Sequence, residues 1–117
     1  MSFAANVLVA FVAFLHVMFL VLEMFLWTKP FGRRTFGLTK ELAEGSKALA
    51  MNQGLYNGFL AAGLIWGIVS GSFQVKLFFL VCVIVAGVFG AATAKRTILF
   101  VQALPGALAL AAIIAAR

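Results

Sequence analysis

Length and composition limit this chain to one domain with little polar surface. It has 117 residues, of which 65% are apolar and only 10% are charged, whereas a soluble domain carries about 25% charged residues. The mean hydropathy is +1.15. A net charge of +6 would suit a nucleic-acid-binding protein, but the basic residues cluster between apolar segments, where membrane topology accounts for them. We therefore expect an integral membrane protein whose partners are membrane lipids and not nucleic acid.

Four apolar segments are long enough to cross a hydrocarbon core of about 30 Å as helices. They cover residues 3–27, 49–69, 77–92 and 98–116. Short connections make sequential helices antiparallel neighbours. The sequence therefore predicts an all-α fold, an integral membrane four-helix antiparallel bundle that forms a single domain over residues 1–117.

Basic residues predict the orientation of this bundle. Seven of them lie in the first and third loops, while Lys76 in the second loop and Arg117 at the C-terminus lie on the other side. Because Lys and Arg are retained on the cytoplasmic side, we expect a multi-pass protein of the bacterial inner (plasma) membrane with both termini outside. Within the first loop, Thr39 is expected to cap a short helix that Gly45 and Ser46 break.

Glycines in the second segment predict close helix packing. They occur as Gly54-x-x-x-Gly58 and as a second series, Gly63-x-x-x-Gly67-x-x-x-Gly71. Gly54 and Gly63 lie on opposite sides of a helical wheel. We therefore expect this helix to be narrow on two faces and to be approached closely by a neighbour on each.

Polar side chains inside the apolar segments are the candidate site residues, because a charged group costs about 2.5–3.5 kcal/mol at the centre of an inserted helix. His16 and Glu23 lie on one face of the first segment, about 10 Å apart along its axis. An amide-rich stretch begins the second segment at a similar depth to Glu23. We expect a polar pocket that opens to the cytoplasm, with Thr93 at the same level. The candidate ligand-binding residues are His16, Glu23, Trp27, Asn52, Gln53, Tyr56, Asn57 and Gln102.

Purely structural roles explain several of these residues as well. Interhelical hydrogen bonds account for Asn52, Gln53 and Gln102, and Trp27 and Tyr56 suit an aromatic belt at the membrane interface. Glu23 could pair with Lys29 or reach the membrane surface.

Two runs and a short motif carry a family resemblance. The runs are HVMFLVLEMFLW at residues 16–27 and NQGLYNGFLAAG at residues 52–63, and the motif is Gln102-x-x-Pro105. Together they resemble a bacterial family of small four-span membrane proteins, the domain-of-unknown-function 1304 family. The resemblance covers nearly the whole chain. It implies a four-helix membrane fold and supplies no activity.

Three functions fit these residues. The first is a pocket for a small amphipathic molecule or lipid, with His16 and Glu23 as candidate catalytic residues for proton transfer. The second is a proton-coupled small-molecule exporter acting as a homodimer, by analogy with four-helix multidrug transporters that carry a glutamate in their first helix. The third is an accessory or structural membrane subunit. One His and one Glu are too few for a metal site, so we expect neither a metal nor another cofactor.

Overall fold

The structure is a computed structural model that describes residues 2–117. Over these residues every regular element is helical, which confirms the all-α prediction. A π-helical turn at Leu99–Ala103 stands directly before the last helix. The helices are α1 (Phe3–Met24), α2 (Pro30–Phe36), α3 (Lys40–Gly45), α4 (Lys47–Ser70), α5 (Phe73–Thr93) and α6 (Leu104–Ala115).

Two of these helices, α1 and α5, are long and apolar enough to cross a membrane, each with a mean hydropathy of 2.5 in its most apolar stretch. The π-helical turn and α6 together form a shorter apolar helix over Leu99–Ala115. In α4 the amides near the start of the helix offset its apolar second half. Membrane crossing by all four predicted segments therefore stays a prediction.

Hydroxyl side chains begin three of the helices. The Ser2, Thr39 and Ser72 hydroxyl oxygens each accept a hydrogen bond from the backbone N–H three residues later, at 3.1, 3.1 and 3.2 Å. Such caps satisfy a donor that the helix itself leaves open. The predicted Thr39 cap and the short helix after it are thus confirmed.

The first loop holds a further helix that the sequence analysis did not predict. Pro30 occupies the first turn of α2, where its missing N–H costs nothing, and Gly37 follows the helix with a positive φ of 66°. Gly32 is buried, and a Cβ there would collide with the Leu26 carbonyl. This loop is therefore more extensively folded than the single short helix predicted for it.

The chain divides into two compact units. The central unit comprises residues 16–59, and the terminal unit comprises the residues up to 15 together with residues 60–117. Within the terminal unit, α1, α4, α5 and α6 all contribute to one buried apolar cluster. Its members are Ala5, Val9, Val12, Ala13, Leu64, Leu80, Val83, Ala109 and Ile113.

Helix α4 is closely packed at both of its glycine series, as expected, although the second series is shorter than predicted. A Cβ on Gly67 would come within 2.7 Å of the Lys76 Cγ, and one on Gly63 would overlap the Phe79 ring. Gly71 is not part of that face. It follows the end of α4 with a φ of 66°, and Ser72 N–H bonds back to the Gly67 carbonyl at 3.2 Å, which is how helices commonly terminate.

A proline follows the π-helical turn directly after Leu104. Pro105 has no N–H to donate to the residue four positions earlier, and the Leu104 N–H bonds to Leu99, five positions back. Close packing on α5 holds this irregular turn in place. A Cβ on Gly87 would lie 2.7 Å from the Ala103 nitrogen, so only glycine permits this approach.

Candidate functional site

The central unit contains a carboxylate–amide pair between α1 and α4. The Asn57 side-chain nitrogen donates a hydrogen bond to Glu23 Oε1 at 2.5 Å. Asn57 is 5% exposed, whereas Glu23 is only half-buried. Within residues 2–117 this amide is the polar partner of Glu23, and a carboxylate can accept about four hydrogen bonds. The pair therefore leaves most of the acceptor capacity of Glu23 available.

Two glycines allow this pair to form. A Cβ on Gly54 would lie 2.5 Å from the Met24 Cγ and 3.3 Å from the Glu23 Cβ, and one on Gly58 would lie 2.7 Å from a Leu20 methyl group. Because Gly54 and Gly58 have no side chain, α4 approaches α1 closely on either side of Asn57. The close packing thus sets the distance over which a short Asn side chain reaches Glu23.

Trp27 does not lie in α1, although its spacing from Glu23 suggests that it does. The sequence places it on the Glu23 face of a continuous helix, but α1 ends at Met24. The indole Nε1–H donates to Ser46 Oγ at 3.0 Å, and the ring packs against Phe36 with centroids 4.9 Å apart. Trp27 therefore links α2 in the first loop, through Phe36, to Ser46 directly before α4. Ser46 was not predicted as a partner of Trp27, because its position beside Gly45 indicated only the end of a short helix.

The remaining polar side chains at the start of α4 point away from the buried face. Asn52, Gln53 and Tyr56 are all exposed, and the exposed fraction of Tyr56 is 59%. The buried positions of this part of α4 are Ala50, Gly54 and Asn57. The polar residues of the predicted amide-rich stretch thus divide, with Asn57 facing Glu23 and the other three facing outward.

His16 is fully buried, with 0% of its surface exposed. Its ring meets the Phe19 ring edge to face, with centroids 5.1 Å apart. His16 lies seven positions before Glu23 in α1, which corresponds to about 10 Å along the helix axis. Proton transfer between the two side chains would therefore need an intermediate carrier such as water.

Two predicted polar residues belong to the terminal unit. Gln102 is half-buried in the π-helical turn, and Thr93 is exposed at the end of α5, where its hydroxyl donates to the Phe89 carbonyl at 2.7 Å. The described contacts therefore bring together Glu23 and Asn57 from the predicted set. Ligand binding by the eight candidate residues stays a prediction.

A second buried polar pair was not predicted. Lys76 was assigned to the second loop, but it lies inside α5 and is 0% exposed. Its ammonium donates to Asn6 Oδ1 at 2.6 Å, and its side chain lies over Gly67. The sequence contains a signal for this contact, since Asn6 near the start of α1 and Lys76 near the start of α5 are polar residues in otherwise apolar helices.

Metal-binding side chains are not gathered anywhere in residues 2–117. No three of the His, Cys, Asp and Glu residues lie together there. The single cysteine, Cys82, is a free thiol that is partly buried in α5. The polar chemistry of the described residues is therefore that of a carboxylate, amides, a buried imidazole and a buried ammonium.

Comparison with known proteins agrees with the resemblance of the sequence runs. The model of the family described as protein of unknown function (DUF1304) matches residues 10–114. The chain belongs to this family. It is also 33% identical to the uncharacterized protein YpaA of Lactococcus lactis subsp. lactis (strain IL1403) over 105 residues, which cover 86% of this chain and 84% of that protein. No solved structure matches the chain.

The family match includes both residues of the pair. Glu23, Asn57, Gly54 and Gly58 all lie within residues 10–114. The DUF1304 description assigns no activity, so any function has to be argued from the chemistry of the site.

Proposed function

We propose that this DUF1304 protein is a multi-pass protein of the bacterial plasma (inner) membrane and that it binds a small amphipathic molecule at Glu23. The observation that carries the proposal is the hydrogen bond from the buried Asn57 amide to the half-buried Glu23 carboxylate. An acidic group inside an apolar segment is costly, and such groups are usually retained for function.

Membrane placement is supported by the exposure of the apolar helices. Only 22% of the most apolar stretch of α1, and the same share of α5, is buried, whereas the core helix of a soluble protein would be mostly buried. Large side chains such as Phe3, Val69 and Phe89 have exposed fractions of 84%, 81% and 69%. Soluble monomers rarely expose so much contiguous apolar surface, and lipid would cover it.

The chemistry of Glu23 indicates the kind of ligand. Asn57 uses one acceptor position of the carboxylate and fixes its orientation, while the partial exposure of Glu23 leaves other positions accessible. A ligand that offers a positive charge or an N–H donor beside an apolar body would meet this carboxylate and the apolar side chains of α1 together. A lipid amine or another small amphipathic cation has these properties, and water between His16 and Glu23 could carry a proton.

Binding of a fluorescent amphipathic cation, ethidium, to the purified protein in detergent tests the proposal. Glu23→Gln keeps the shape and an acceptor oxygen but removes the charge. We expect it to weaken binding roughly tenfold, or by about 1.4 kcal/mol, which lies between the values for a charge pair in bulk water and near a protein surface. The matched control is Glu41→Gln, which makes the same charge change at an exposed position of α3. Equal affinities in the two variants would contradict a site at Glu23.

The exposed polar face of α4 supports a second candidate, an accessory membrane subunit. Asn52, Gln53 and Tyr56 lie within an arc of about 100°, and in lipid their amides would be satisfied by a partner helix. Replacing Asn52 and Gln53 together by leucine should then reduce the size of the native complex in mild detergent. An unchanged size would contradict assembly through this face.

A further inference from the structure

The terminal unit has an apolar groove where the π-helical turn and α6 lie against α5. The groove has a volume of about 260 Å³ and is partly open to the outside of the protein. Every lining side chain is apolar. The lining includes Ile84 and Val88 on α5, Leu99 and Phe100 in the π-helical turn, and Leu104 and Ala107 on α6.

The irregular turn forms one wall of this groove. Gly87 meets Ala103 so closely that α5 and the π-helical turn touch there, and the Leu104 N–H bonds to Leu99, five residues back, in place of the four-residue spacing of a regular α-helix. The groove opens beside that contact. A rigid, concave apolar surface that faces lipid is suited to holding one acyl chain in place.

Two basic residues lie in the turn that leads into the π-helical side of the groove. The turn between α5 and the π-helical turn carries Lys95 and Arg96, both exposed. Backbone hydrogen bonds from Lys95 N–H to Gly90 and from Leu99 N–H to Arg96 hold this turn against the end of α5. From Val88 to Thr93 the helix rises about 8 Å, and the polar region of a bilayer is about 5–8 Å thick on each side. A lipid whose chain lies beside Val88 therefore has its phosphate at the depth of Lys95 and Arg96.

We propose that this groove is a binding site for an anionic phospholipid, with one acyl chain between α5 and α6 and the phosphate on Lys95 and Arg96. The inference rests on the membrane placement proposed above, but not on a ligand at Glu23. The apolar lining recognises the chain, and the basic turn selects an anionic headgroup over a zwitterionic one. The unidentified amphipathic ligand of the central unit is a separate molecule.

Native mass spectrometry of the purified protein tests both parts of the site. The probes are phosphatidylglycerol and phosphatidylcholine with identical acyl chains, each titrated alone, and inorganic phosphate added as a competitor. We expect phosphatidylglycerol to bind about tenfold more tightly, because each Lys or Arg near a membrane surface strengthens attraction to anionic lipid several-fold. Inorganic phosphate, which has no acyl chain, should not displace it at equal concentration.

Two pairs of variants separate the groove from the basic turn. Ala107→Phe places a ring in the groove, and its control, Ala62→Phe, makes the same change at an exposed alanine of α4. Lys95→Gln with Arg96→Gln removes two charges, and its control, Lys29→Gln with Arg34→Gln, removes two exposed charges from the first loop. We expect Ala107→Phe to weaken both lipids at least fivefold, and the Lys95/Arg96 pair to abolish the preference for phosphatidylglycerol.

Thermal melting by circular dichroism shows which variants remain folded. If Ala107→Phe does not fold, Ala107→Leu fills the groove less severely and replaces it. Equal binding of the two lipids by the wild-type protein, or equal effects of a variant and its control, would overturn the inference. Displacement by inorganic phosphate at equal concentration would show a simple anion site. Recovery of the protein in the soluble fraction would instead contradict the membrane placement, and the two failures are therefore distinguishable.

Discussion

The Glu23–Asn57 hydrogen bond predicts a measurable coupling between α1 and α4. A hydrogen bond to a charged group contributes about 1.5–3 kcal/mol in soluble proteins, and interhelical hydrogen bonds in membrane proteins contribute about 0.6 kcal/mol on average, with a maximum near 1.7. Asn57 is buried but Glu23 is only half-buried, so solvent weakens the interaction. We expect a coupling free energy of about 1 kcal/mol. Glu23→Gln should lose about half of it, because a neutral acceptor is roughly half as strong.

A double-mutant cycle measures this coupling directly. Glu23→Ala, Asn57→Ala and the double variant would be unfolded reversibly in mixed detergent micelles, and the coupling is the difference between the double effect and the sum of the single effects. The control cycle pairs Asn57→Ala with Glu41→Ala, an exposed carboxylate on α3 that shares no hydrogen bond with it. That cycle should be additive within about 0.5 kcal/mol. A Glu23–Asn57 coupling no larger than the control value would refute the pairing and the site built on it.

Two further predictions follow from individual contacts, and a third follows from the distribution of basic residues. Gly87→Ala should destabilise the protein by about 1–3 kcal/mol in thermal or denaturant unfolding, because its Cβ would lie 2.7 Å from the Ala103 backbone nitrogen. The control is Gly45→Ala, which should be neutral or stabilising because nothing lies within 4 Å of its Cβ. Asn6→Leu should lower the free energy of unfolding by about 1–3 kcal/mol in the same measurement, because it removes an acceptor from the buried Lys76 ammonium. Asn6→Gln keeps an acceptor, so an equal loss of stability in the two variants would contradict this prediction. The topology is tested with single cysteines in a Cys82→Ala background. Ser2→Cys should react with an impermeant maleimide in intact cells, and Gly45→Cys should react only after the cells are permeabilised. The opposite pattern would invert the proposed topology.

Much of the helical framework could be predicted, because long apolar segments and the spacing of small residues within a helix can be recognised from neighbouring positions in the sequence. Helical periodicity identified Gly54 and Gly63 as separate faces of α4, and both are closely packed in the structure. The Thr39 cap follows from a hydroxyl placed directly before a short helix. The Glu23–Asn57 contact was predicted from depth alone, since both polar groups lie about one to two turns from the same expected end of their segments.

The errors arose where tertiary contacts override a continuous pattern. The apolar run through Trp27 conceals the end of α1 at Met24, and the indole then bonds to Ser46, a residue that nothing in the run singles out. The depth of a polar residue along α4 also does not indicate whether its side chain faces α1 or the outside of the protein. Asn52 and Gln53 therefore appeared to share a layer with Asn57, although the structure turns them outward.

The packing at Gly54 and Gly58 has a consequence for how a ligand could bind at Glu23. Because α4 touches α1 on both sides of Asn57, the backbone of Asn57 stays close to Glu23. A ligand can then add to the Asn57 hydrogen bond without replacing it, because the carboxylate has spare acceptor positions. Asn57→Ala should therefore weaken binding of an amphipathic cation only through poorer orientation of Glu23, by less than Glu23→Gln does. A larger loss in Asn57→Ala than in Glu23→Gln would mean that the amide, and not the carboxylate, makes the decisive contact with the ligand.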